Sequence, residues 1–180
     1  LNTLAQENNY KVVTQTKDFV YEIASTSSEQ LWKMRAYSRS ATTLDAYVHS
    51  SREYTEWTIE GKFNYGDSYI IPRDPTWKIM SDEKILSLLK PVWNKMGIPA
   101  DDFTAYSLSD EEITNSFMIF CNDQINIKKL FTESFIASLR SWNTSSRIKT
   151  HISIRTTANR IQLQVNNVIN DPIQAKKLIQ

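Results

Sequence analysis

From Lys149 to Val165 apolar and polar residues alternate about a short break. Ile152 and Ile154, then Ile161, Leu163 and Val165, fall on one face, while Lys149, His151, Ser153 and Arg155, then Gln162 and Gln164, fall on the other. Side chains leave a strand on alternate sides, so this period predicts a hairpin with one apolar and one polar, basic face. Tyr10 to Ala24 has the same period over Phe19, Tyr21 and Ile23 and predicts two short strands or one bent one. A helix is expected next. Ser27 and Gln30 have the spacing of a capping box, and Leu31, Met34, Ala41, Leu44 and Val48 recur at helical intervals.

Further along, Glu53–Ile59 and Lys62–Ile71 are strand-like, interrupted by Gly61 and Gly66. Ser81 is placed to cap a helix whose first turn holds Asp82 and Glu83, where the helix dipole favours negative charge. Its apolar stripe is Ile85, Leu88, Leu89, Val92, Trp93 and Met96. Gly97 and Pro99 end it, and Pro91 inside it predicts a kink or a tight turn. Phe103–Leu108 and Ser116–Cys121 are expected strands, and Asn126 is expected to cap a helix running to about Trp142.

This order predicts an α+β chain of three small modules in tandem, at 1–66, 67–112 and 113–180. Each would be a small sheet covered on one face by helix, with the other face left without a partner. Lys149, His151 and Arg155 would point from such a spare face.

A composition of 41% hydrophobic and 11% aromatic residues suits a chain that folds around cores. No apolar run is long enough to span a bilayer, and no signal-like stretch opens the chain. A first residue that is Leu suggests an excised piece of a longer protein, whose anchor or leader would lie outside it. Net charge is only +1, but residues 1–66 carry seven Lys/Arg against eight Asp/Glu, residues 67–120 five against nine, and residues 121–180 nine against three. Such a gradient fits a nucleic-acid-binding end, or unlike surfaces that meet when copies pack side by side.

Candidate chemistry separates these possibilities. His49 and His151 are a hundred residues apart, and neither has a second ligand at helical or C-x-x-C spacing, so no metal site is expected. Asp101-Asp102 and Asp110-Glu111-Glu112 are expected to be solvated loop charges and not acid/base pairs. The single Cys121, in the run Phe117–Cys121, is a small buried hydrophobe. Glycine-rich phosphate loops and a G-x-S-x-G nucleophile are both absent, which argues against an enzyme and against any cofactor. An RRM-like nucleic-acid-binding sheet is the alternative function, but it needs exposed aromatics for bases to stack on, and the hairpin offers only His151. Of the five tryptophans, Trp57 and Trp77 lie outside the expected helices and are open to an interface role. With Arg147, Lys149 and Arg155 on the basic side and Asp101 and Asp102 on the acidic side, they form the candidate subunit interface.

The segment LNTLAQENNYKVVTQTKDFVYEIASTSSEQLWKMR, with its Leu31-Trp32 pair, resembles the start of the periplasmic region of the large inner-membrane ring protein of type III secretion injectisomes, the PrgH/MxiG (SctD) family. The likeness continues through YIIPRDPTWKIMSDEKILSLLKPVWNKMGI and SFMIFCNDQINIKKLFTESFIASLRSW. The segment Asp110–Asn115 is shorter than expected of PrgH-like members and favours the MxiG-like branch. The resemblance implies three ring-building modules on the periplasmic side of a Gram-negative inner membrane, preceded in the full protein by one transmembrane segment and a cytoplasmic forkhead-associated-like domain. It also implies a non-catalytic role in effector export. The partners would be further copies of itself, an inner-ring lipoprotein and the secretin above, with no nucleic acid or small-molecule substrate.

Overall fold

A computed structural model describes residues 10–14, 20–26, 31–38, 53–77, 79–145, 152–169 and residue 175. The fold is mixed α+β with antiparallel strand pairing and a few helices. The chain divides into two compact units, residues 1–61 with 160–180 and residues 62–159. These bounds differ from those of three tandem modules, because strands expected in the second and third modules join one sheet.

In the first unit the strands β1 (Lys11–Thr14), β2 (Tyr21–Ala24), β3 (Leu31–Ser38), β4 (Glu53–Glu60) and β9 (Arg160–Val165) lie side by side in that order. Leu31 to Ser38 is thus a strand where a helix was expected. Apolar residues at 32, 34 and 36 satisfy a period of two as well as 31 and 34 satisfy a helix. Pairing decides between them: Ile23 sits opposite Met34, and Met34 opposite Trp57. Ala41, Leu44, Val48 and the Ser27–Gln30 box lie outside the described residues.

The two faces of this sheet differ. One carries Tyr21, Ile23, Met34, Ala36 and Val165, all buried. Thr55, also buried, donates from Oγ1 to the carbonyl of Asn167 (2.8 Å) and accepts from the amide of Ile169 (2.9 Å), and the Tyr21 hydroxyl donates to the Ile169 carbonyl. These bonds fix the segment after β9 against the core, and burial pushes the Tyr21 hydroxyl up to about 12. The other face carries the row Glu22, Arg35, Glu56 and Gln164 across four strands. Arg35 pairs with Glu22, Gln162 Nε2 donates to Glu56 (2.9 Å), and Glu60 accepts from Lys33 (3.4 Å) and lies 3.8 Å from Arg160.

In the second unit the order is β8 (Ile152–Thr157), β5 (Ser68–Pro72), β7 (Phe117–Cys121), β6 (Thr104–Tyr106). All five residues of β7 are buried. The helix α1 (Asp82–Lys95) covers one face, where Ile85, Leu86 and Trp93 meet Met118 and Phe120, with Tyr69 and Ile71 beside them. Trp93 meets Tyr69 edge-on at 4.9 Å and Phe120 at 5.6 Å. Ile70, Ile119 and Ile154 lie in register on the opposite face. There the short helices α2 (Glu111–Ser116) and α3 (Gln124–Ile127), a 3-10 turn (Lys128–Leu130) and α4 (Glu133–Ser145) contribute buried Ile113, Ile127, Leu130 and Leu139, and Phe131 stacks on Tyr106. This sheet is covered on both faces, contrary to the expectation of one helix per sheet. A run of five apolar residues with no polar alternation is the signature of a strand buried on both sides.

Local signals explain most of these elements. Ser81 caps α1 by accepting from the Lys84 amide, and Gly97, at a φ of +75°, ends the helix in the left-handed region. The helix runs through Pro91; Ser87 and Pro91 are both exposed, so the Ser87 carbonyl that loses its donor can face water. Gly66, at a φ of +72°, holds a left-handed conformation that other residues rarely adopt, and a Cβ there would crowd Asn122 Oδ1 at 2.9 Å and Asp123 Cβ at 3.0 Å. The expected helix from Asn126 is instead broken in two. Asp123 caps α3 with bonds from the Asn126 amide and side chain and from the Ile125 amide, which hold its carboxyl below the ordinary range, and Thr132 accepts from the Phe135 amide in the first turn of α4.

Candidate interaction surfaces

Of the residues singled out in the sequence, Arg147, Lys149, His49 and His151 lie outside the described residues. Trp57 is half-buried on the core side of β4, opposite Met34 and Leu163. Among the described residues its buried indole nitrogen has no hydrogen-bond partner. Trp77 ends a 3-10 turn (Pro75–Trp77) and packs against the α1 cluster of the second unit. Both tryptophans are half-buried.

Arg155 does not stand on a spare basic face. Tyr69, which lies opposite Arg155 in the β5–β8 register, packs on Trp93 on the α1 side of the sheet. Burial pushes the Tyr69 hydroxyl up, while a bond to Ser153 and the charge of Arg155 act the other way. Within the first unit Gln162 is taken by Glu56. The polar side of the hairpin is thus divided between two different environments.

The charge gradient along the chain also dissolves on folding. The first unit holds nine Lys/Arg against nine Asp/Glu, and the second twelve against eleven. The acidic stretch 67–120 and the basic residues up to Arg155 occupy the same unit.

Asp110, Glu111 and Glu112, expected in a loop, begin α2. Asp110 accepts from the Ile113 amide as its cap, and Arg140 of α4 pairs with Asp110 and Glu112. Asp101 and Asp102 are exposed, as expected, but their loop is held. Asn94 Nδ2 donates to Asp101 Oδ1 (2.7 Å), Asn94 Oδ1 accepts from the Ala100 amide (2.9 Å), and Lys90 Nζ donates to the Asp101 carbonyl (2.7 Å). No group of three or more His, Cys, Asp or Glu among the described residues could hold a metal ion. Burial pushes the Cys121 thiol up to about 11, which keeps it protonated and unreactive at neutral pH.

The feature that sequence reasoning placed in the wrong environment is on α1. Leu88, Val92 and Met96 belong to its expected buried stripe, yet they are 64%, 42% and 40% exposed. The buried face is turned toward Leu86, which was not counted in the stripe. Apolar residues at 85, 86, 88, 89, 92, 93 and 96 cover a wider arc than the side of a helix that one sheet can bury, and that excess width was the available signal.

Searches of family models, of curated proteins and of solved structures return no match to the chain.

Proposed function

We propose that this chain is a structural, self-associating part of the type III secretion basal body, from the periplasmic portion of the outer inner-membrane ring, with no catalysis of its own. The observation that carries the reading is the row Leu88, Val92 and Met96, which leaves an apolar surface along α1 after the unit's own core is complete. The sequence resemblance supplies the setting. A membrane anchor would lie outside this chain, copies would surround a lipoprotein ring, and the secretin would stand above. In that setting 67–112 and 113–180 are ring-building segments whose strands share one sheet, and 1–66 supplies most of the other unit.

The native context of Leu1 tests the reading. Sequencing upstream should find a transmembrane helix directly before the chain and a small cytoplasmic domain before that. A cytoplasmic enzyme domain fused there would overturn the reading.

A further inference from the structure

We infer that the exposed apolar stripe of α1 docks on the opposite flank of the same helix in a second copy, so that copies join head to tail. The inference rests on the ring-building reading above and names the contact within it. At 3.6 residues per turn, Lys84, Leu88, Val92 and Lys95 lie along one flank of α1. Glu83, Lys90 and Asn94 lie along another, on the order of 140° away. The first flank is apolar and bordered by two lysines, with no carboxylate among its residues.

The second flank carries the Asp101-Asp102 loop, tied down by Lys90 and Asn94, and so presents three carboxylates against one ammonium. The loop's bonds to α1 fix where Asp101 sits before any partner arrives, so little loop ordering is needed on contact. The two flanks are unlike in shape and opposite in charge, and they face away from each other on one rigid helix. A surface of this kind cannot satisfy itself across a two-fold axis. It is matched by its complement on the next copy, and such a heterologous contact repeats. Apolar side chains at the centre hold the contact, and the lysines and aspartates at its margin orient it.

The test uses the intact protein in the membranes of its source cells. Val92→Cys and Asp102→Cys are introduced singly and together, and the membranes are treated with a short bis-maleimide. Both positions are exposed, while Cys121 is fully buried. The double variant should give a ladder of dimers, trimers and higher species, and neither single variant should crosslink above background. In parallel, Lys84→Glu with Lys95→Glu in the double-cysteine background should lower the ladder yield roughly tenfold, and adding Glu83→Lys with Asp101→Lys should restore it. A strong dimer from Val92→Cys alone would show an isologous contact and overturn the inference. Intact rings under the microscope without a ladder would overturn it too, while leaving the ring reading in place. Val92→Cys captured mainly on a different protein would assign the stripe to that protein instead. Absence of both ladder and rings would remove the ring reading together with the inference.

Discussion

The two units bury their sheets in different ways. In the second, β7 places Met118 and Phe120 against α1 and Ile119 in line with Ile70 and Ile154 on the far side, so nearly every side chain of the strand is core. In the first, β3 places Met34 and Ala36 in the core and Lys33 and Arg35 in a row of ion pairs and amide bonds. Buried apolar atoms have no alternative partner, whereas a half-exposed ion pair trades water for its mate at little net gain. The second unit should therefore be the more sensitive to truncation along any one strand. The first should be sensitive only at every other residue.

The largest effect tests this directly. Phe120→Ala, at a fully buried site against Trp93, should destabilise the second unit by about 3–5 kcal/mol. Met34→Ala should cost the first unit about 2–4 kcal/mol. Hydrogen exchange read separately at the amides of β7 and β3 would show each loss confined to its own unit, and a common loss in both would mean that they unfold as one.

Next comes Arg73, which holds Asp82 at the start of α1 with two bonds of 2.7 and 2.8 Å and donates to the Thr114 carbonyl at 3.0 Å. Arg73→Ala should cost about 2 kcal/mol, because the pair is mostly shielded from water and removing the guanidinium leaves Asp82 without its charged donor. Denaturant melts followed through Trp93 would measure it. Lys33→Ala in the first unit, whose partner Glu60 is nearly half exposed, should change stability by less than about 0.5 kcal/mol. A loss as large as that of Arg73→Ala would contradict the contrast between the units.

Alkaline titration sharpens the same comparison. Cys121 is ordinarily near 9.0 and reaches about 11 in the fold. Tyr21 is ordinarily near 10.0 and reaches about 12. In each case the unfolded chain loses its proton first, so the stabilisation is complete below the unfolded value and is lost as pH rises toward the folded one. The second unit should begin to weaken above pH 9 and the first above pH 10. Cys121→Ala should remove part of the first decline and Tyr21→Phe part of the second, as read by exchange at β7 and β2. Onset at one common pH would show that the thiol and the phenol do not act separately.

Elements whose signal is local were legible in the sequence. The Ser81 cap, the Gly97 stop, the strand Phe117–Cys121 and the alternation of the hairpin each depend on a few adjacent residues. What failed depended on distant partners. Leu31 to Ser38 satisfied two periods, and only its neighbours across the sheet choose the strand. The second face of the β7 sheet looked uncovered because the strands of 67–112 and 113–180 read as two sheets, each with a single helix, whereas pairing between distant segments joins them in one. Asp101 and Asp102 are exposed as expected, Trp57 and Trp77 are half-buried, and the stripe on α1 reads as core because helical periodicity gives a stripe's width but not the direction it faces.

The proposed role requires self-association into a closed assembly. The most direct measurement is electron microscopy of the intact protein extracted in mild detergent from the membranes of its source cells, paired with native mass measurement. The expected result is closed rings of many copies that are lost in a Leu88→Glu, Val92→Glu variant whose circular dichroism is unchanged. A protein that stays a monomer or a fixed two-fold dimer in those membranes would contradict it.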